Sequence, residues 1–406
     1  MMDIFDKYAQ FAGRHAKLLE LGADPFAVRL DELRSATEAD IDGRPTILAG
    51  TNNYLGLTYD PSCIAAAEEA VRRYGTGTTG SRIANGTYGL HTELEAAFAT
   101  FLRRRSCMVF STGYQANLAM IAGLAGPRDT VLIDADSHAS IYDACKLAGA
   151  TIVRFRHNDA ADLDRRLARL GGEGGCKLVI VEGLYSMLGD TAPLREFVEV
   201  KKKHGAWLLV DEAHSFGVYG ADGRGLAEEQ GVEADVDFVV GTFSKSLGAI
   251  GGFGASDHPQ FDLLRFCARP YMFTASPSPA SVASVHAALA RIEADPSLRE
   301  RLWANAHRLY DGLVGLGLQP CAPASPVIAV ALPDEATAAH AWNLLREAGV
   351  YVNLALPPGT PNSLCLLRSS VSAAHTFAQI DTIVARFGSV LEALAVKPEP
   401  ALAEVV

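Results

Sequence analysis

A single lysine follows a short apolar run and is flanked by small hydroxyl residues. The run Phe238–Val240 continues into Gly241-Thr242-Phe243-Ser244-Lys245-Ser246. An ammonium group beside a protein core is costly unless it is paired, because burial strips its hydration. The amine loses this charge when it condenses with an aldehyde, which is how pyridoxal phosphate (PLP) is attached to a lysine. Lys245 is therefore predicted to bind PLP covalently.

Three further side chains have the chemistry that a PLP ring requires. Asp211 ends the apolar run Trp207–Val210 and is expected to pair with the pyridine nitrogen. His214 follows it and can hydrogen-bond the ring oxygen, although a histidine after a strand is also often a surface residue. His138 follows another apolar run. Its flat imidazole is expected to stack on the ring, and the alternative is a histidine that caps the next helix.

A strand-to-helix turn supplies groups for the cofactor phosphate. In Ser111-Thr112-Gly113-Tyr114 the glycine permits close backbone approach. The N–H groups and the dipole of the following helix favour an anion. Thr242 and Ser244 add hydroxyl donors. Because many strand-to-helix turns contain glycine, this prediction depends on the lysine and the aspartate.

Three other motifs have competing explanations. Arg368 ends an apolar run and suits a substrate carboxylate or, equally, a salt bridge at a domain edge. Residues 211–214 spell the DEAH box of helicases, but the chain has no Gly-Lys pair for an ATP-binding loop. Residues 75–80 match the dinucleotide pattern GxGxxG, but they follow a helix-like segment instead of a strand. Helicase and dinucleotide-binding functions are therefore disfavoured.

The composition of the 406-residue chain is that of a globular protein, with 49% hydrophobic and 20% charged residues. The net charge of −11 argues against a nucleic-acid partner, whose binding face would be basic. Seven dispersed cysteines without CxxC spacing argue against disulfides and metal sites. Neither a signal peptide nor a membrane span is expected, so a cytoplasmic location is predicted.

Apolar runs that alternate with helical segments predict an α/β fold with a mainly parallel sheet. The predicted strands are Cys107–Phe110, Thr130–Ile133, Thr151–Phe155, Lys177–Val181, Trp207–Val210 and Phe238–Val240. Ligands of such sheets gather at the carboxyl ends of the strands, where the candidate residues would meet.

The order of these elements predicts two domains with short terminal additions. Residues 1–45 would form a helix and a connection, 46–280 the large PLP-binding domain, 281–396 a small C-terminal domain, and 397–406 a frayed tail. A small hairpin is expected near Thr46–Gly50 and one long helix over about 280–315.

Several long segments resemble the α-oxoamine synthases, fold-type I PLP enzymes that condense an amino acid with an acyl thioester and release CO2. The resemblance extends from about Ile41 to Leu394. It is carried by Thr51–Leu57, Gly77–Arg82, Phe110–Asn117, Asp134–Tyr142 and Asp211–Gly217. It implies a large domain with a mainly parallel seven-stranded sheet and a smaller C-terminal α/β domain.

Within this family, Glu182–Asp190, Gly241–Ser246 and Arg269–Ser276 are similar to the bacterial soluble serine palmitoyltransferase subfamily. This resemblance implies that L-serine and a long-chain thioester, acyl-CoA or acyl carrier protein (acyl-ACP), give 3-ketosphinganine, CO2 and a free thiol, the first step of sphingolipid synthesis. One alternative is another α-oxoamine synthase that uses glycine or alanine. A second is a noncatalytic PLP-binding subunit, which the combination of Lys245, Asp211 and His138 disfavours.

The resemblance also implies roles for individual residues. Lys245, Asp211, His138 and His214 would serve the cofactor as described above and take part in catalysis. The phosphate would be surrounded by Gly113, Tyr114, Thr242, Ser244 and Thr274 of the partner subunit. The substrate-binding residues would be Arg368, Asn52 and Ser81, with Arg368 on the amino-acid carboxylate.

A site that is shared between subunits implies a homodimer, with the Gly75–Arg82 loop beside the partner's site. Two residues depart from the pattern of relatives. Leu356 stands where many carry an arginine that moves onto the substrate carboxylate, and Asn52 stands where some carry tyrosine. Peripheral contact with the inner membrane, which would receive the lipid product, is a further hypothesis.

Overall fold

The computed structural model describes residues 3–171 and 174–394. Within these ranges the chain forms two compact units. One comprises residues 53–185 and 191–300, and the other comprises residues 3–52, 186–190 and 301–394. The N-terminal segment thus shares a unit with the C-terminal part of the chain. The domain limits predicted from the sequence stay predictions, and the predicted tail, 397–406, lies outside the described residues.

The strands, in chain order, are β1 (Leu30–Leu33), β2 (Glu38–Ile41), β3 (Arg44–Leu48), β4 (Ser106–Phe110), β5 (Thr130–Asp134), β6 (Thr151–Phe155), β7 (Lys177–Glu182), β8 (Trp207–Asp211), β9 (Phe238–Thr242), β10 (Gly252–Ser256), β11 (Val327–Leu332), β12 (Val350–Tyr351), β13 (Asn353–Ala355) and β14 (Cys365–Ser370). The helices are α1 (Ala9–Glu20), α2 (Pro61–Tyr74), α3 (Gly89–Phe101), α4 (Gly113–Leu124), α5 (Ala139–Ala148), α6 (Ala160–Leu170), α7 (Leu194–His204), α8 (Leu226–Glu229), α9 (Arg269–Met272), α10 (Pro279–Ala294), α11 (Ser297–Gly315), α12 (Glu335–Glu347) and α13 (Phe377–Leu394). Of the helices in the described ranges, none combines the length and the apolar character needed to cross a membrane.

The first unit contains a seven-stranded sheet with the order β4-β10-β9-β8-β7-β5-β6. Neighbouring strands from β9 to β6 pair in parallel, whereas β10 pairs antiparallel with both β4 and β9. The predicted mainly parallel seven-stranded sheet is therefore confirmed. The sequence does not predict β10, since its residues Gly-Phe-Gly-Ala-Ser contain no continuous apolar run.

The central strands of this sheet are buried on both faces, as parallel sheets require. β5, β7 and β8 carry the apolar runs Val-Leu-Ile, Leu-Val-Ile-Val and Leu-Leu-Val, and all of these residues are buried. Burial of each such side chain contributes about 1.5–3 kcal/mol. This packing fixes the carboxyl ends of the strands and the polar side chains that they carry.

In the second unit, β1-β2-β3-β12 form one sheet and β11-β14-β13 form another. β2 and β3 make an antiparallel hairpin whose turn residues, Asp42 and Gly43, have φ values of 53° and 71°. An Asp-Gly pair favours this two-residue turn. The hairpin expected near Thr46–Gly50 therefore begins earlier in the chain, and its second strand ends at Leu48.

The single long helix expected over 280–315 is wrong, because the structure has two helices there. α10 ends at Ala294 and α11 begins at Ser297. Pro296 lies between them, and a proline inside a helix costs about 3 kcal/mol because it removes a donor and clashes with the preceding turn. Asp295 Oδ1 also accepts the N–H of Ser297 at 3.2 Å, which favours a new helix start.

Buried His375 is expected to make folding sensitive to acid. Burial lowers the pKa of its imidazole to about 4, from an ordinary value of 6.5. Between these values the unfolded chain binds a proton and the folded chain does not. The contribution of His375 to the free energy of unfolding is therefore fully present above pH 6.5. It is lost as the pH falls towards 4, by about 3 kcal/mol in total.

Denaturant unfolding at pH 7.0 and at pH 4.5 checks this expectation. His375→Asn should show a smaller loss of stability on acidification than the wild type. His340→Asn is the control, because His340 is exposed. An identical pH dependence for the wild type and His375→Asn would show that His375 is not the source of acid sensitivity.

Candidate active site

Polar side chains meet at the carboxyl ends of neighbouring parallel strands. Glu182 ends β7, Asp211 ends β8 and Thr242 ends β9. They line a cavity of about 250 Å³. Eight residues singled out from the sequence line the same cavity: Gly113, Tyr114, His138, Asp211, His214, Thr242, Ser244 and Lys245. The structure thus brings these residues together where ligands of α/β sheets bind.

Lys245 lies in the loop of residues 243–251 between β9 and β10. The N–H of Phe243 donates to the carbonyl of Gly251 at 2.9 Å and closes the loop. The hydroxyl of Ser246 donates to the carbonyl of Phe216 at 2.6 Å. Lys245 itself is half-buried at the cavity wall. Its backbone is therefore held on both sides, which suits an amine that must carry a covalent ligand.

The start of α4 comes very close to the end of β9. A Cβ atom added at Gly113 would lie 2.6 Å from Cβ of Thr242, so only glycine fits. The hydroxyl oxygens of Thr242 and Ser244 lie 2.9 Å apart. Two hydroxyls and the N–H groups at a helix start are the donor set that a phosphate requires. This part of the cavity fits the phosphate of PLP.

Gly113→Ala is expected to weaken PLP binding about tenfold or more, because the added methyl group collides with Thr242 and overpacking costs about 1–3 kcal/mol. Titration of the apoenzyme with PLP, followed by absorbance, measures the affinity. Gly89→Ala is the matched control, since Gly89 opens α3 and its added Cβ would meet nothing closer than Glu93 Oε1 at 3.5 Å. Equal affinities of the two variants would contradict the role of Gly113.

Asp211 is buried, and both of its carboxylate oxygens accept hydrogen bonds. Oδ1 accepts the N–H of Ala213 at 2.9 Å, and Oδ2 accepts the side-chain amide of Asn117 at 2.7 Å. Hydrogen bonds to a charged acceptor are short and strong, so they fix the rotamer of the carboxylate. A fixed carboxylate at the cavity wall fits a protonated pyridine nitrogen.

His138 precedes α5, and its ring caps that helix. The N–H of Ser140 donates to His138 Nδ1 at 3.2 Å. The alternative of a capping histidine is thus observed, and it is compatible with ring stacking because His138 also lines the cavity. Burial lowers the pKa of the His138 imidazole; the charge of Asp211 opposes this shift and that of Lys245 adds to it. The lowered pKa favours the neutral ring.

Glu182 is a buried carboxyl group at the cavity wall. Its Oε1 accepts the N–H of His138 at 2.5 Å, which ties the loop before α5 to the end of β7. Burial, and then the charge of Asp211, raise the pKa of Glu182 well above its ordinary range. A raised pKa favours the neutral acid form of Glu182.

Four residues of the site were not singled out from the sequence: Tyr54, Asn117, Ser140 and Glu182. Tyr54 is fully buried, and its Oη lies 2.7 Å from His214 Nδ1, so it orients that ring. Each of the four lies in a segment that resembles the α-oxoamine synthases. Asn117 also gave a local signal, because it is a polar residue in the otherwise apolar part of α4.

Two residues of the first unit that were predicted to bind ligands do not line this cavity. Thr274 Oγ1 accepts a hydrogen bond from the side chain of Gln115 in the same chain at 3.2 Å. The carbonyl of Ser81 accepts the N–H groups of Ala84 and Gly86 in a turn. Their roles stay predictions.

Arg368 and Asn52 lie in the second unit, where they contact each other. Arg368 is buried and donates to the carbonyl of Ser186 (2.5 Å), to Ser370 Oγ (2.9 Å) and to Asn52 Oδ1 (3.2 Å). These acceptors are neutral oxygen atoms. The positive charge of the guanidinium is therefore available to an anionic ligand such as a carboxylate.

Comparisons with known proteins agree with this geometry. The family model for aminotransferase class I and II matches residues 44–387. The serine palmitoyltransferase of Caulobacter vibrioides is 57% identical over 395 residues, which cover 97% of this chain and 98% of that protein. The serine palmitoyltransferase of Sphingomonas paucimobilis is 50% identical over 390 residues, 95% of this chain and 92% of that protein.

A solved structure of SPT with PLP internal aldimine matches with a TM-score of 0.95 and 49% identity, over 98% of this chain and 100% of that chain. The predicted α-oxoamine synthase resemblance and the fold-type I architecture are therefore confirmed. The chain belongs to the aminotransferase class I and II family, in the branch formed by the bacterial serine palmitoyltransferases.

Proposed function

We propose that the protein is a PLP-dependent acyltransferase that condenses L-serine with a long-chain acyl thioester, giving 3-ketosphinganine, CO2 and a free thiol. The observation that carries this proposal is the meeting of Lys245, Asp211 and His138 at one cavity. Relatives that share 57% and 50% of their residues with this chain are serine palmitoyltransferases. A noncatalytic PLP-binding subunit is disfavoured by the joint presence of Lys245, Asp211 and His138.

Each of the side chains around the cavity has its own role in the proposed reaction. When bound, PLP supplies an electron sink for the electron pair left at Cα of the amino acid. Asp211 would keep the ring nitrogen protonated, and His214 would hydrogen-bond the ring oxygen. The amine of Lys245 takes the proton from Cα of serine and returns a proton to that carbon after CO2 has left.

The substrate carboxylate is bound by Arg368, with Asn52 holding the guanidinium in place. The contact of 3.2 Å between Asn52 Oδ1 and Arg368 supports this pairing. Leu356 cannot bind an anion and instead lines an apolar cavity of about 780 Å³ that also includes Phe11 and Phe26. With leucine at position 356, Arg368 is the cationic partner of the carboxylate in this proposal.

His138→Ala is expected to raise abortive transamination relative to condensation about tenfold or more. His138 Nδ1 is engaged by Ser140, so Nε2 is the nitrogen that can donate to the serine carboxylate. Loss of a hydrogen bond to a charged group costs about 1.5–3 kcal/mol. The ratio of pyridoxamine phosphate to 3-ketosphinganine measures the effect, and an unchanged ratio would remove His138 from this role.

Separate assays with serine, glycine and alanine, each against acyl-CoA and acyl-ACP thioesters of several chain lengths, test the proposed reaction. Serine with a long-chain thioester should give the highest kcat/KM, and mass spectrometry should identify 3-ketosphinganine. A preference for glycine or alanine would assign the protein to another α-oxoamine synthase activity. PLP binding without turnover on any thioester would support a noncatalytic subunit.

The proposed active form is a homodimer with shared sites. Thr274 of the partner subunit would complete the phosphate site, and the loop that contains Ser81 would border the partner's cavity. The position of Thr274 outside the cavity of its own chain supports this arrangement. Light scattering of the purified holoenzyme should give twice the chain mass of 43.1 kDa, and a fully active monomer would contradict it.

The proposed location is the cytoplasm, with peripheral contact to the inner membrane. α1 supports this proposal because none of its residues is buried, and Phe11 and Leu19 are 61% and 50% exposed. Exposed apolar groups beside basic residues favour an anionic lipid surface. The wild type should sediment with phosphatidylglycerol vesicles more than Phe11→Ser, and equal sedimentation would exclude α1 as the contact.

A further inference from the structure

Asn117 connects two residues of the proposed cofactor site. Its side-chain nitrogen donates to Asp211 Oδ2 at 2.7 Å and to Ser140 Oγ at 2.9 Å. The hydroxyl of Ser140 lies 2.8 Å from His138 Nδ1. A continuous chain of hydrogen bonds therefore extends from the Asp211 carboxylate, through Asn117 and Ser140, to the imidazole of His138.

The chemistry of these groups fixes the direction of each hydrogen bond. A carboxylate only accepts, so the amide nitrogen of Asn117 faces Asp211. The same NH2 group gives its second proton to Ser140 Oγ, which leaves the hydroxyl proton of Ser140 for His138 Nδ1. That nitrogen also accepts the N–H of Ser140. A nitrogen that accepts hydrogen bonds carries no proton, so the neutral ring is protonated at Nε2.

We propose that Asn117 and Ser140 are positioning residues, which fix the rotamer of Asp211 and the Nε2–H tautomer of His138 as one unit. The inference rests on the proposed function, because both targets serve the PLP site. Asn117 and Ser140 are 3% and 1% exposed, so water does not compete for their hydrogen bonds. Buried networks of this kind hold their members in a single arrangement.

The carbonyl oxygen of Asn117 adds a second observation. It is buried and has no hydrogen-bond partner among the residues that the structure describes, although Asn117 lines the cavity. An unpaired buried acceptor costs about 1–3 kcal/mol. Such an atom is expected at the wall of a ligand site, where a donor of the bound ligand completes it.

Nitrogen NMR of histidine-labelled protein tests the tautomer directly, with His138→Gln to assign the resonance. The wild type should show unprotonated Nδ1 and protonated Nε2, both without PLP and with it. Ser140→Ala should raise the population of the other tautomer severalfold. Ser137→Ala is the matched control and should change nothing, because Ser137 is buried in the same loop and its hydroxyl has no partner within the described ranges.

A mutant cycle measured by PLP affinity tests whether the residues act as one unit. Asn117→Ala should raise the Kd for PLP about 10- to 100-fold, and Ser140→Ala should raise it less. The double variant should bind PLP no more weakly than Asn117→Ala alone, since both changes break the same chain of hydrogen bonds. Asn117→Asp keeps the shape of the side chain and should also weaken binding, which separates the effect from misfolding.

Additive effects in the cycle, or a wild-type His138 that is protonated at Nδ1, would overturn the inference. These outcomes are distinct from failure of the proposed function. A protein that binds no PLP contradicts the function, whereas the NMR measurement on the ligand-free protein still tests the network.

Discussion

Lys245→Ala should lower kcat by about 10⁴-fold or more, because it removes both the covalent attachment of the cofactor and the base that moves the Cα proton. The variant should also lose the absorbance band of lysine-bound PLP. It should still take up PLP without a covalent bond, since Asp211 and the hydroxyls of Thr242 and Ser244 remain. Added methylamine should restore part of the activity, which separates loss of the amine from misfolding.

Lys203→Ala is the control for this experiment. Lys203 is 63% exposed at the side chain and pairs with Asp164 at 2.8 Å, away from the residues that line the cavity. Its replacement should leave kcat and the absorbance band unchanged. If Lys245→Ala kept both the band and the turnover, the assignment of the lysine would be wrong.

Asp211→Asn should lower kcat by about 10²- to 10³-fold, the range for removal of one preorganised electrostatic group. The substitution removes the negative charge opposite the ring nitrogen. It also places an NH2 group against the side-chain amide of Asn117, which now donates to Asp211 Oδ2. Steady-state kinetics and PLP titration should therefore show a loss in both kcat and cofactor affinity.

Asp257→Asn is the matched control for Asp211→Asn. Asp257 is 57% exposed at the side chain and pairs with Arg104 at 2.8 Å. Its replacement should leave kcat within about twofold of the wild type, because neither Asp257 nor Arg104 lines the cavity. Activity of Asp211→Asn within tenfold of the wild type would contradict a role for the charge of Asp211.

The central sheet could be predicted from the sequence because its strands are local patterns. A parallel strand that is buried on both faces is a continuous apolar run, and β5, β7 and β8 each contain one. β10 contains no continuous apolar run, because glycines are needed where its neighbours pack closely. A Cβ at Gly252 would lie 2.7 Å from Cα of Gly113. That requirement comes from tertiary packing, which no local pattern reveals.

The predicted residues that line the cavity share one feature, which is that each follows or ends a strand. The sheet alone then brings Asp211, Thr242 and Lys245 to one edge. The position of a residue relative to a strand does not predict Tyr54, Asn117 or Ser140, because these residues act through other side chains. Their positions are set by contacts such as the 2.7 Å approach of Tyr54 Oη to His214, between residues far apart in the sequence.

The most direct test of the proposed reaction uses L-serine labelled with ¹³C at the carboxyl carbon, together with palmitoyl-CoA and the PLP-loaded protein. Mass spectrometry should find unlabelled 3-ketosphinganine, labelled CO2 and free CoA in equal amounts, and none of these with Lys245→Ala. A condensation product that retains the label, or no product from a protein that is fully loaded with PLP, would contradict decarboxylative condensation at this site.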